Sequence, residues 1–115
     1  MYFRTRLIKN DLLLIRKTHL WSVNYGEAAT LVVVGRLDTQ TAPELEKELD
    51  SVVSNIKELT FDMAGLEYVS SAGLRVILKA QKIMNTKGSM KLSGVNDSIM
   101  DVFDITGFLD ILTIE

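Results

Sequence analysis

The chain has 115 residues and a net charge of −2, with 47% hydrophobic and 24% charged residues. This composition is typical of one compact domain with a hydrophobic core, and the balanced charge does not by itself indicate nucleic-acid or membrane binding. The absence of cysteine excludes disulfides and thiol chemistry, and the single histidine, His19, makes a structural zinc site a poor interpretation.

Residues 1–20 are interpreted as a basic N-terminal leader, and residues 21–115 as the folded domain. The first 19 residues carry a net charge of +4, so the remainder carries −6. The leader is either a basic arm that contacts an acidic partner or a solvated terminus, and its apolar residues fit a strand or a short helix. Its apolar run, Leu12–Ile15, is too short for a transmembrane helix or a secretory signal, which predicts a cytoplasmic protein without membrane insertion.

The first elements of the domain have the pattern of a β-hairpin. Apolar residues alternate over Trp21–Tyr25, which predicts a strand, and the β-branched segment 29–34 predicts a second strand beside it. The dipeptide at 26–27 would turn the chain between them. Gly35 then ends the second strand, and residues 36–40 form a polar loop.

A helix is predicted to follow this loop. Thr41 and Glu44 have the spacing of a capping box, and Pro43 lies in the first turn, where its missing N–H costs little. The helix has one apolar stripe, which consists of Leu45, Leu49, Val52 and Val53.

The next two elements are a buried strand and a strongly periodic helix. Leu59–Met63 predicts the strand, with Ala64–Gly65 as the turn after it. Ser70–Ser71 opens the helix, and Gly88 is expected to end it. A 3.6-residue period places on its buried face Gly73, Val76, Ile77, Ala80, Ile83 and Met84.

The last part of the chain predicts a strand at Met90–Leu92, a third helix and a short final strand at Ile111–Ile114. Asn96 or Asp97 caps the helix, and Gly107 ends it. The order of strands and helices implies a mixed sheet with crossover helices. In its core we expect contacts among Phe61, Ile77 and Phe103.

The segment 61–78 is the most informative for function. A phosphate on a serine at a helix start would be stabilised by free backbone N–H groups and by the helix dipole, but serine is also a common cap there. A serine hydrolase is excluded because the only histidine lies in the leader and a Gly-x-Ser-x-Gly motif is absent. Asp62 is interpreted as a strand-end residue that accepts hydrogen bonds from loop amides, and its pairing with Glu67 has no support as a sugar site.

Three sequence blocks together resemble the STAS domain family, and within it the anti-sigma factor antagonists. The blocks are FDMAGLEYVSSAGLRVIL at 61–78, GRLDTQTAPEL at 35–45 and, more weakly, VFDITGFL at 102–109. They keep the order and approximate spacing of the family over residues 21–115. The resemblance implies an α/β fold: a single STAS domain whose mixed four- to five-stranded sheet has about three helices packed on it.

The resemblance also implies a function. Such proteins bind an anti-sigma factor that is also a serine kinase, and this binding frees a sigma factor for transcription. The kinase ends the interaction by phosphorylating one serine at the helix start, and a serine phosphatase reverses the modification. The motif register assigns that position to Ser71 rather than to Ser70, which stands where well-known members often have aspartate. The protein would then be a binding protein and not an enzyme, with no cofactor, metal or direct nucleic-acid contact.

The partner-binding surface is expected to surround Ser71. Asp38 either orients Ser71 or contacts the kinase, or it accepts hydrogen bonds from loop amides only. Arg75 either contacts the partner or belongs to a solvated helix face. The predicted partner-binding residues are Asp38, Thr39, Gln40, Ser70, Ala72, Gly73, Leu74 and Arg75.

Two other functions stay open. The chain could be a STAS regulatory subunit of a transporter-type or other assembly, in which the serine is only a cap and phosphorylation plays no part. A sensor of a small ligand such as a nucleotide is the weaker interpretation, because the sequence has no phosphate-binding loop.

Overall fold

The computed structural model describes residues 15–17, 20–25 and 28–115. These residues form one five-stranded mixed sheet and three α-helices, which confirms the predicted α/β architecture. The strands are β1 Ile15–Lys17, β2 Leu20–Tyr25, β3 Ala28–Leu37, β4 Glu58–Val69 and β5 Ser89–Ser93. The helices are α1 Ala42–Val52, α2 Ser71–Asn85 and α3 Asp97–Thr106, with 3₁₀ turns at Val53–Asn55 and Phe108–Asp110.

The strands lie in the sheet in the same order as in the sequence. β1, β2 and β3 are antiparallel neighbours, and β3, β4 and β5 are parallel ones. The predicted hairpin is confirmed, with Trp21 opposite Val32, while its turn residues lie outside the described part of the chain. Because β3, β4 and β5 are parallel, the loops that leave them begin at one edge of the sheet.

The hydrophobic core lies between the sheet and the helices. Phe61 of β4, Ile77 of α2 and Phe103 of α3 all belong to it and have no exposed surface, as predicted. Burial of side chains of this size stabilises the fold by about 1.5–3 kcal/mol each. Through this core, helices α2 and α3 both pack on β4, the central strand that precedes the serine pair.

The central strand β4 is more than twice as long as the sequence pattern indicated, and the predicted turn at Ala64–Gly65 is wrong. Both residues lie inside the strand, which bulges twice against β3. A Cβ on Gly65 would lie 2.9 Å from both Val34 methyl carbons. Glycine is therefore required there by a close approach of two strands and not by a turn.

Three predicted ends of elements also need correction. β3 continues through Gly35 to Leu37, because pairing with β4 keeps residues 35–37 in the sheet. α2 ends at Asn85, before Gly88, and a Cβ on Gly88 would lie only 1.8 Å from the carbonyl oxygen of Lys57. The role of Gly88 is thus to admit a neighbouring backbone. The final strand at 111–114 is reduced to a single bridge between Ile114 and Leu92, because the chain leaves its last 3₁₀ turn only after Asp110 and the Leu112 amide still bonds to the Phe108 carbonyl oxygen.

The third helix is fastened at its start by Asn96. Its Oδ1 accepts a hydrogen bond from the Ile99 amide at 2.9 Å, and its Nδ2 donates to the carbonyl oxygen of Leu66 in β4 at 2.8 Å. Asn96, rather than Asp97, is thus the cap, and Gly107 ends the helix with a φ of 81° as expected for a left-handed C-cap. Among the described residues, none of the helices is long and apolar enough to cross a membrane.

Candidate functional site

The parallel pairing of β3 and β4 brings two loops together. Leu37 and Val69 are partners at the last paired position of the two strands, and the next amide, that of Ser70, donates to the Leu37 carbonyl oxygen at 2.8 Å. The loop at 38–41 and the start of α2 therefore leave the sheet side by side. This arrangement places Asp38, Thr39 and Gln40 in the neighbourhood of the serine pair.

Ser70 is the N-cap of α2. Its backbone is extended, with φ −95° and ψ 175°, and its Oγ accepts a hydrogen bond from the Gly73 amide at 3.3 Å. Its carbonyl oxygen accepts the Leu74 amide at 2.9 Å. The half-buried Ser70 is thus occupied in starting the helix.

Ser71 is in a different situation although it is the adjacent residue. It is the first residue of α2, its side chain is exposed, and its hydroxyl makes no hydrogen bond with the described residues. The first turn of α2 contains no acidic residue, whereas α1 and α3 carry Glu44 and Asp97 there. The hydroxyl therefore lies in water beside the positive end of a helix dipole that no side chain of the first turn compensates.

The loop at 38–41 is organised by Asp38 and not by the predicted capping box. Thr41 makes no side-chain capping bond, because its Oγ1 donates to the Arg36 carbonyl oxygen at 2.9 Å and accepts the Asp38 amide at 2.8 Å. The Asp38 Oδ1 accepts the amides of Gln40 and Thr41 at 3.0 and 3.1 Å. The hydrogen bond from the Thr41 amide, supported by that from Gln40, lowers the pKa of the Asp38 carboxyl below its ordinary value.

The first turn of α2 packs tightly on the end of β3. A Cβ on Gly73 would lie 2.6 Å from Cγ of Leu37, so that glycine permits this approach. Leu74 is only 8% exposed and belongs to the core, because the helix turns it inward. The expectation that Leu74 contacts a partner from the surface is therefore corrected, while Ala72 is half-buried and Arg75 is exposed.

A shallow cleft of about 330 Å³ separates the N-terminal halves of α1 and α2. Lys79 links the two helices across it, since its Nζ lies 2.9 Å from Glu46 Oε2 and 3.1 Å from Asp50 Oδ1. The bond to Glu46 and then that to Asp50 raise the pKa of Lys79. The residues that line the cleft are Thr39, Ala42, Pro43, Glu46, Ala72, Arg75, Val76 and Lys79.

An aromatic and cationic pair borders the same loops. The guanidinium carbon of Arg36 lies 4.2 Å from the centre of the Tyr68 ring, and the Arg36 Nε lies 3.9 Å from Asp38 Oδ2. Tyr68 is 40% exposed. The sequence reasoning missed this pair, because only the bulged register of β3 and β4 places residues 36 and 68 opposite each other.

The two acidic residues of the central segment do not form a paired site. Asp62 is buried within β4, where its Oδ1 accepts the Ala64 amide at 3.1 Å, and Glu67 is exposed. Across the described ranges, no group of three or more His, Cys, Asp or Glu side chains is placed to hold a metal ion. The feature that distinguishes the site is thus the exposed serine with its surrounding loop and cleft.

The sequence itself matches the model of one family, the STAS domain, over residues 22–115. The anti-sigma-B factor antagonist of Listeria monocytogenes is 34% identical to this chain over 89 residues, which cover 74% of this chain and 76% of the relative.

Solved structures with the same fold include proteins of similar description. An anti-sigma factor antagonist from Mycobacterium paratuberculosis aligns with a TM-score of 0.75 and 19% identity, covering 83% of this chain and 82% of its own. The Bacillus cell fate determinant SpoIIAA in its phosphorylated form aligns with a TM-score of 0.64 and 14% identity, covering 90% of each chain. At these identities the structural matches establish a common fold.

Proposed function

The chain belongs to the STAS domain family, and we propose that it is an anti-sigma factor antagonist switched by phosphorylation of Ser71. Its partner would be an anti-sigma factor with serine kinase activity, and a serine phosphatase would restore the binding form. It would act in the cytoplasm by binding, not by catalysis. The observation that carries the proposal is the exposed Ser71 hydroxyl on the first residue of α2, next to a serine that is already used as a cap.

The two serines have different capacities to accept a phosphoryl group. A kinase must place the hydroxyl in line with the γ-phosphate of ATP, form the new Oγ–P bond and release ADP while the hydroxyl proton is removed. The Ser71 hydroxyl is free in solvent for this step. The Ser70 hydroxyl is less accessible to a kinase, because it is half-buried and its Oγ already accepts the Gly73 amide at 3.3 Å.

The start of α2 can carry a phosphate without unfolding. A phosphoserine adds a charge of about −1.5 to −2 at neutral pH. At residue 71 this charge would lie beside the free N–H groups of a helix whose first turn has no acidic side chain. The fold of the domain should therefore survive phosphorylation.

Binding is affected differently, because a partner covering Ser71 would have to desolvate the phosphate. Thr39, Gln40 and Arg75 are exposed around the serine, and the half-buried Ala72 allows a close approach. A charge without a partner in such an interface costs several kcal/mol, and about 1.4 kcal/mol already weakens binding tenfold. Loss of binding with retention of the fold is the behaviour that a phosphorylation switch needs.

The direct test is to incubate the chain with ATP and the serine-kinase anti-sigma factor of the same cell and to map the modified residue by mass spectrometry. We expect one phosphate per chain at Ser71, none in Ser71→Ala and undiminished modification in Ser70→Ala. Calorimetric titration should then show that the anti-sigma factor binds the unmodified chain and no longer binds the phosphorylated chain. Modification at Ser70, or equal affinity of both forms, would overturn the proposal.

The alternative of a STAS regulatory subunit in a transporter-type assembly predicts a different result. Affinity capture with the unmodified chain would then recover membrane transport subunits, and Ser71→Glu would leave that interaction unchanged. Under the proposal made here, the same capture recovers the kinase, and Ser71→Glu loses it.

A further inference from the structure

Arg75 is an exposed cation one helical turn after Ser71. It lies on the rim of the cleft between α1 and α2, and it forms no ion pair with any residue of the described chain. The next cation along the same face, Lys79, is held by both Glu46 and Asp50. Arg75 is thus the cation near the start of α2 whose charge is available for a new partner.

The helix geometry directs Arg75 toward Ser71. Residues at i and i+4 have Cβ atoms about 5–6 Å apart, and long helical side chains lean toward the N-terminus of the helix. An arginine guanidinium can donate two parallel N–H bonds to a phosphate, a geometry that lysine does not offer. A phosphate on Ser71 would therefore lie within reach of the Arg75 side chain.

We propose that Arg75 binds the phosphate on Ser71 within the same chain and so completes the phosphorylated state. The proposal rests on phosphorylation of Ser71 as the regulatory event. Phosphorylation would then change two charges of the binding surface. A phosphate appears at residue 71, and the Arg75 guanidinium is withdrawn from the rim of the cleft. A partner that uses Arg75 would lose that contact as well as meeting the phosphate.

The nearby acidic groups do not prevent this contact. Asp38 accepts two amides of its own loop, and Glu46 is paired with Lys79. Both carboxylates are present with or without Arg75, so their repulsion of a phosphate is the same in an Arg75 variant and in the native sequence. A comparison of the two therefore isolates the contribution of the guanidinium.

The test installs phosphoserine at position 71 during translation, so that no kinase or binding partner is needed. The second pKa of the phosphate, ordinarily about 6, is measured by ³¹P NMR titration in the native sequence, Arg75→Gln, Arg75→Lys and the control Lys82→Gln. We expect it to be lower by about 0.3 in the native sequence than in Arg75→Gln, equivalent to about 0.4 kcal/mol at 1.36 kcal/mol per pKa unit. Arg75→Lys should recover part of the difference, and Lys82→Gln, about three helical turns from Ser71, should match the native sequence.

Thermal unfolding provides the second readout. Phosphorylation should raise the midpoint more in the native sequence than in Arg75→Gln, whereas the unmodified forms of both should melt at similar temperatures because Arg75 is exposed. An equal phosphate pKa and an equal thermal gain in both sequences would overturn the role of Arg75 and leave the phosphorylation of Ser71 untouched. Conversely, failure of a kinase to modify Ser71 would refute the proposed function without altering this measurement.

Discussion

Replacing each serine of the pair by alanine should separate a structural role from a regulatory one. Ser70→Ala removes the Oγ that accepts the Gly73 amide, and leaves that amide without its partner at the start of α2. Ser71→Ala removes a hydroxyl that bonds to no described residue and lies in water. The backbone bonds of Ser70 to Leu37 and Leu74 remain in both variants.

The expected magnitudes follow from these contacts. Loss of a serine N-cap costs about 0.5–2 kcal/mol, and the 3.3 Å length of the bond at Ser70 favours the lower half of this range, about 0.5–1 kcal/mol. Ser71→Ala should change the free energy of unfolding by less than about 0.5 kcal/mol, since alanine is also the better helix former.

Urea unfolding followed by circular dichroism measures both changes in the free energy of unfolding. In thermal unfolding, the melting temperature of Ser70→Ala should be roughly 2–4 °C below that of the native chain. Ser70→Asp is the matched control, because aspartate caps a helix as well as serine does, and it should retain the native stability. A larger loss in Ser71→Ala than in Ser70→Ala would refute the division of roles between the two serines.

Three further predictions concern the surroundings of the site. The pKa of Asp38 is lowered in the folded state, so its charge stabilises the fold above about pH 4 and ceases to do so as the pH falls through that pKa. The difference in melting temperature between the native chain and Asp38→Asn should therefore shrink on acidification. A difference that stays constant with pH would contradict this prediction. Asn96→Ala loses the α3 cap and the bond to Leu66 together, and should lower the free energy of urea unfolding by about 1.5–3 kcal/mol, with Asn96→Asp, which keeps the cap, in between. Gly88→Ala places a Cβ on the Lys57 carbonyl and should cost more than about 2 kcal/mol in the same assay, so a near-native stability would show that the two segments separate easily.

Local sequence patterns were sufficient where one helix or one hairpin decides the outcome. The 3.6-residue period of α2 predicted most of its buried face: Val76, Ile77, Ala80 and Met84 all lie in the core, whereas Ile83 is only half-buried. The start of α2 at the serine pair is also local, since an extended Ser70 followed by free amides is sufficient to begin a helix.

Other features depended on contacts that the local sequence pattern does not show. Ala64 and Gly65 have the composition of a turn, yet the pairing of β3 with Asp62 and Gly65, on either side of a bulge, keeps the strand extended. Thr41 has the spacing of a capping box, but its hydroxyl bonds to the Arg36 carbonyl instead. In each case a contact with the neighbouring strand or within the loop competes with the local preference and prevails.

The amino-acid sequence by itself determined the helix that begins at the serine pair, because periodicity and capping act within one segment, and the order of the predicted strands and helices indicated the α/β class. The assignment of the motif register to Ser71 came from the resemblance to the STAS family and stays a prediction. Only the tertiary structure decided which serine is free. The pairing of Leu37 with Val69 positions the start of α2 against β3, so that Ser70 and Leu74 are used in packing and capping while Ser71 and Arg75 remain exposed.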